Sequence, residues 1–177
     1  MRVMIKNLFA FLILIILLIN YSCDHGISPL PEQPEVSGFE GTIFFVSPWP
    51  DSIKRTHLVI FKNPLLEPSD FVITNIKFIS NEIPFGVQSY HFSSLDSAII
   101  PPSPGPFEPG EYAYVAVAHQ TTDEISLARK DWFVSGVYYT NNDTTKPGVL
   151  VIQENKITRN VNIRVDFNHL PTQPPGG

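Results

Sequence analysis

The sequence predicts an all-β protein, a single antiparallel β-sandwich of about seven strands. Three observations lead there. Apolar residues recur at every second position in one short segment after another. Gly, Pro, Asn and Asp turn signals separate those segments, and only one stretch carries a helical pattern. Seventeen prolines and 13 phenylalanines among 177 residues fit strands with bulky core-facing side chains, punctuated by stiff loops.

The chain opens on a segment of another kind. Arg2 and Lys6 precede an uninterrupted apolar run over residues 8–19, and Asn20-Tyr21-Ser22-Cys23 follows. A positive start, an apolar run too short for an ordinary spanning helix and a small residue at its end describe a secretory signal over residues 1–22. The chain's only cysteine comes directly after Ser22, and the junction resembles the lipobox of bacterial lipoproteins, whose thiol is acylated and begins the mature protein. It departs from that pattern at Asn20, where the family usually has Leu, and in this it is similar to relaxed lipoboxes of Bacteroidetes-type bacteria. The resemblance implies lipidation at Cys23 and a protein anchored to a membrane of the bacterial cell envelope, expected to be the outer membrane. Each buried methylene contributes about 0.8 kcal/mol, so several acyl chains hold firmly where one holds marginally. Asp24 leaves the leaflet open. It resembles an inner-membrane retention signal of proteobacteria and equally a surface-export signal of Bacteroidetes-type bacteria.

Residues 23–37 carry the lipidated cysteine and then a Pro-rich, core-poor stretch, a flexible tether. The folded domain is expected over 38–170. Residues 41–46 and 55–62 are apolar on both faces in places, the pattern of strands covered on two sides. Residues 74–80 and 88–94 alternate more plainly. Residues 101–109 (PPSPGPFEP) read as a stiff crossover between sheets or along an edge, and the Pro109-Gly110 turn opens a strand over 111–119. Residues 123–132 are the one candidate helix, with Asp123 as its cap. Residues 148–153 and 157–167 read as a hairpin about Glu154-Asn155-Lys156. In its second arm Val161, Ile163, Val165 and Phe167 face one way, and Asn160, Asn162, Arg164 and Asp166 the other. Residues 171–177 are expected to be a disordered tail.

Composition excludes several function classes. Removal of 1–22 leaves 155 residues, one ordinary domain, able to build a core without disulfides. Arg2 and Lys6 leave with the signal, so ten basic face 17 acidic residues and the formal charge moves from −5 to −7. That balance argues against nucleic acid as a partner, because phosphate binding needs a clustered basic face. One cysteine excludes a disulfide scaffold and a cysteine-built zinc site.

Residues 107–118 (FEPGEYAYVAVA) resemble the P-G-x-Y-x-x-x-V signature of transthyretin-like, carboxypeptidase-regulatory-like sandwiches, which are Ig-like in architecture. Residues 41–45, 55–61 and 161–167 fit strands of that family. Trp49-Pro50-Asp51, Ile83-Pro84-Phe85 and Gly136-Val-Tyr-Tyr139 are similar to a group of uncharacterised bacterial envelope proteins with this fold. The resemblance spans about residues 40–170 and implies a fold. Its motifs are a tight turn, a core tyrosine and an edge tryptophan, so no catalytic residue carries over.

The chain has no H-E-x-x-H, G-x-S-x-G, Walker-type or dinucleotide motif. His25, His57, His91, His119 and His169 lack metal-ligand spacing, and neither a metal nor another cofactor is expected. Asn141-Asn142-Asp143-Thr144 is rich in oxygen ligands without the ordered spacing of a calcium loop. Asp123, Glu124 and Asp131 lie near Trp132, but one local cluster does not make the paired carboxylates of a glycosidase. Aromatic side chains are the better lead: Trp49, Trp132 and Tyr138 are candidate ligand-stacking surfaces. Trp49 has a favoured alternative, plugging the open end of the sandwich. Tyr138 and Tyr139 should point to opposite faces. Ser52, Ser97 and Thr144 each sit in a tripeptide resembling the O-glycosylation site of Bacteroidetes-type bacteria. The function expected is a non-enzymatic envelope binding or structural module with a protein or glycan partner. The alternative is an accessory or carbohydrate-active lipoprotein using an aromatic face near Trp132.

Overall fold

Eleven short strands are present in the described residues of a computed structural model: β1 Gly38–Phe45, β2 Arg55–Phe61, β3 Ile76–Ser80, β4 Ser89–Ser93, β5 Ala98–Ile100, β6 Gly110–Tyr112, β7 Tyr114–Gln120, β8 Trp132–Val137, β9 Leu150–Ile152, β10 Ile157–Thr158 and β11 Ile163–Val165. The structure describes residues 36–176 apart from 102–104, 125, 127 and 142. The signal, Cys23 and most of the tether lie outside these residues. Glu35–Gly177 forms one compact unit, and none of its described helices is long and apolar enough to cross a membrane.

The strands form an all-β sandwich. One sheet runs β5-β3-β2-β7-β8, all neighbours antiparallel. The facing sheet is built on β1, with β4 antiparallel on one side and β10 and β11 on the other; β6 and β9 form a two-stranded ribbon. Period two decides which side chains meet between the sheets. Phe39, Ile43 and Phe45 of β1 and Ile163 and Val165 of β11 pack on Leu58, Ile60, Val115 and Val117 of β2 and β7. Phe39 is the hub, with its ring centre 5.2 Å from Phe78 and 5.0 Å from Phe107, both edge-on.

Four expectations need correction. The sandwich is not wholly antiparallel: β1 pairs β10 and β11 in parallel, which the long crossover through the other sheet permits. The expected hairpin about residues 154–156 does not form a ladder. β9 instead pairs β6, whereas β10 crosses to β1. Asn155 makes the turn in the left-handed region (φ 54), but Ser37 Oγ accepts its N–H and Lys156 C=O accepts the Gly38 N–H, drawing the second arm to β1. The candidate helix is a loop whose described residues hold one 3-10 turn, Arg129–Asp131. Ser126 takes over the local bonding. Its hydroxyl reaches the Asp131 carboxylate (2.5 Å) and the Ala128 N–H (3.1 Å), and its carbonyl accepts the Trp132 indole N–H (2.7 Å).

Finally, the expected tail is docked. Gln173 places its side-chain amide against the outer edge of β8, Nε2–H on Val134 C=O and Oε1 on Val134 N–H, each 2.8 Å. β8 ends the five-stranded sheet, and the glutamine satisfies backbone groups that an edge strand would leave open.

Candidate functional site

The five-stranded sheet is apolar on both faces. Leu58, Ile60, Val115 and Val117 serve the core between the sheets, whereas Val59, Phe61, Tyr114, Ala116, Ala118 and Val134 form a second cluster on the outer face. No third sheet covers that outer face among the described residues. Loops do: residues 62–75 bring Leu65 and Phe71, residues 121–131 bring Ser126 and Arg129, and the C-terminal segment brings Pro174.

The cover is incomplete and leaves a cavity of about 380 Å³. Its floor is deep because β7 presents alanines, Ala116 and Ala118, where its neighbour β2 presents His57 and Val59. The four steps from His57 to Phe61 give a floor about 13 Å long at the usual strand rise. Val72, Ile73 and Ile99 line it while remaining 45%, 62% and 45% exposed, so the mouth has an apolar rim. The volume falls within the range of about 300–1,000 Å³ typical of small-molecule sites.

Three kinds of polar group touch this apolar space. His57 is buried, its Nδ1–H donating to Ser80 C=O at 3.0 Å, and its ring lies 5.9 Å from that of Trp132. Burial holds its pKa below the usual histidine value and outweighs the Ser80 bond, so the ring is neutral. Tyr114 is buried and its phenol is pushed up to about 12, by burial first and by Tyr139 second. Arg129 is half-buried and spans the covering layer. Nη1–H donates to Trp132 C=O (2.5 Å), Nη2–H donates to Pro174 C=O (2.8 Å), and the guanidinium carbon lies 5.8 Å from the Phe71 ring centre. Among the described residues it makes no ion pair, and no carboxylate lines the cavity.

The residues singled out from sequence are scattered around this arrangement. Trp132 is a wall of the cavity with its indole N–H used by Ser126, so it offers no open platform. Trp49 plugs one end of the sandwich. Its ring centre is 4.4 Å from Phe45 and 5.1 Å from Phe167, and its N–H donates to Val87 C=O at 2.9 Å. Tyr138 packs on the central core and Tyr139 on the outer cluster, opposite faces as expected. Ser52, Ser97 and Thr144 are all exposed, Ser52 and Thr144 in turns and Ser97 directly before β5, with Ser97 Oγ accepting from Asn81 Nδ2. His57 and His119 sit one register step apart on paired strands and therefore face opposite sides of the sheet. Among the described residues no group of three His, Cys, Asp or Glu is placed to hold a metal. Asp123 reaches Lys54 (3.6 Å), and Asp131 is taken by Ser126 and Lys130.

Sequence reasoning missed Ala116, Ala118, Arg129 and Pro174. The two-sided apolarity of β2 and the Ala-x-Ala spacing in β7 were the available signals, and neither says that loops will cover the outer face only in part.

The Pro109-Gly110 turn positions Tyr112, 1% exposed, whose hydroxyl donates to Glu108 C=O at 2.6 Å. A buried tyrosine whose hydroxyl returns to a carbonyl four residues upstream resembles the tyrosine corner of Ig-like sandwiches. Fold and site together define an all-β sandwich domain with an apolar cavity on the outer face of its larger sheet. Comparison with protein families, curated proteins and solved structures finds no match for this chain.

Proposed function

We propose that this chain is a non-enzymatic, lipid-anchored protein of the bacterial cell envelope, a transthyretin-like binding module seating an apolar molecule on its larger sheet. The cavity of about 380 Å³ carries the reading, because its volume and its largely apolar lining are those of small-molecule sites. The signal-like segment ending at Cys23 supports a lipid anchor at the outer membrane, and the Pro109-Gly110-Glu111-Tyr112 corner supports the family resemblance. The carbohydrate-stacking alternative loses ground, since Trp132 is half-buried and its indole N–H is occupied. No cofactor takes part, and any protein or glycan partner would be met on another surface.

The test uses membranes carrying the full chain, with 1-dodecanol as the probe and protease resistance during heating as the readout. A ligand at a hundredfold excess over its Kd stabilises by about 2.7 kcal/mol, a shift of about 5–10 °C. Ala116→Phe, which fills the floor, should abolish the shift. A wild-type chain whose midpoint ignores saturating alcohol refutes the reading. Cys23→Ala should release the chain from the membrane, and unchanged attachment would remove the lipid anchor from it.

A further inference from the structure

The cavity has an unbalanced charge. Arg129 is the one cationic side chain among its described lining residues, and none of them is acidic. Two of its five N–H groups go to the carbonyls of Trp132 and Pro174, which satisfy hydrogen bonds without neutralising the guanidinium. This half-buried charge lies beside the Phe71 ring and has no ion-pair partner among the described residues, so an anion brought to it would meet an unneutralised guanidinium. From this geometry we infer that the cavity takes a long-chain carboxylate, its chain lying along β2 and β7 and its head on Arg129.

Each part of that ligand answers a feature of the site. The floor runs about 13 Å along β2 from His57 to Phe61, and the exposed rim of Val72, Ile73 and Ile99 suits entry of an apolar chain. A single planar guanidinium matches a carboxylate in bidentate fashion, and among the described residues no second cation lines the site to balance a dianionic phosphate. The inference rests on the apolar-ligand reading above and adds the head group to it.

The experiment photolabels membranes bearing the full chain with two probes, a diazirine-bearing hexadecanoate and the matching hexadecanol, and maps adducts by mass spectrometry. The expected result is adducts from the carboxylate probe on peptides of β2, residues 65–76 and β8, displaced by unlabelled hexadecanoate. Arg129→Gln should weaken carboxylate labelling about tenfold, the loss of one charged hydrogen-bonded contact, and leave alcohol labelling within about twofold. Arg129→Lys should recover part of the loss. Equal labelling by both probes that Arg129→Gln does not change overturns the head-group assignment and leaves the apolar site standing. Absence of cavity adducts from either probe overturns both. Protease resistance of each variant establishes that it is folded, and the comparison of the two probes on wild type needs no variant.

Discussion

Gln173→Ala is the sharpest probe of how the C-terminal segment belongs to the fold. In the wild type the side-chain amide brackets Val134 with two 2.8 Å hydrogen bonds and adds a third to Pro171 C=O at 2.9 Å. A net hydrogen bond is worth about 1 kcal/mol, and this site is partly exposed, so truncation should cost about 2 kcal/mol of local stability. That energy is specific to the strap, because Gln173 takes no part in either core cluster. Opening of the segment should therefore become about 30-fold more frequent. Hydrogen exchange read residue by residue on the full chain is the assay. The Val134 amide should exchange about 30-fold faster, while amides in β2 and β7 keep their protection. An unchanged Val134 amide would refute the strap. Equal acceleration across β2, β7 and β8 would mean that the tail acts on global stability instead.

Gly41→Ala should destabilise by about 2–4 kcal/mol in a urea titration, since its Cβ would collide with the Val161 carbonyl and part β1 from the chain leading into β11. Gly86→Ala, with open space and φ +83, should cost only about 1 kcal/mol; similar losses at both sites would refute the close-approach argument. His119 is buried, with a pKa depressed to about 4 by desolvation, and its Nδ1 has no partner among the described residues. Its folded pKa lies below the unfolded value, so its contribution is present above about pH 6.5 and about 3 kcal/mol is lost as pH falls towards 4. His119→Phe should flatten that acid limb in stability-versus-pH curves, and an unaltered limb would place the titration elsewhere. His57, also depressed, steepens the limb in the same direction. Tyr112→Phe removes the 2.6 Å bond to Glu108 C=O and should cost about 1–2 kcal/mol by chemical denaturation; a neutral result would deny the tyrosine corner its stabilising role.

The sequence by itself determined what depends on local periodicity and turn chemistry. Alternation in residues 161–167 correctly put Val161, Ile163 and Val165 inside, all 1% exposed or less. Asn155 made its turn because asparagine tolerates the left-handed region, and Pro109-Gly110 set up Tyr112. The two-sided apolarity of β2 meant cover on both faces; the inner face is covered by the facing sheet and the outer face in part by loops. Tertiary structure decided the rest. Hydrogen bonds between residues 118 positions apart, Asn155 to Ser37, drew the expected hairpin apart into a parallel seam with β1. A glutamine near the end of the chain became an edge cap, and a weak helical signal lost to the side-chain bonds of Ser126. The cavity belongs wholly to this second class. Period two marks a face as apolar, but the volume left above it depends on how loops distant in sequence meet over two alanines, and on an arginine held among them by the carbonyls of Trp132 and Pro174.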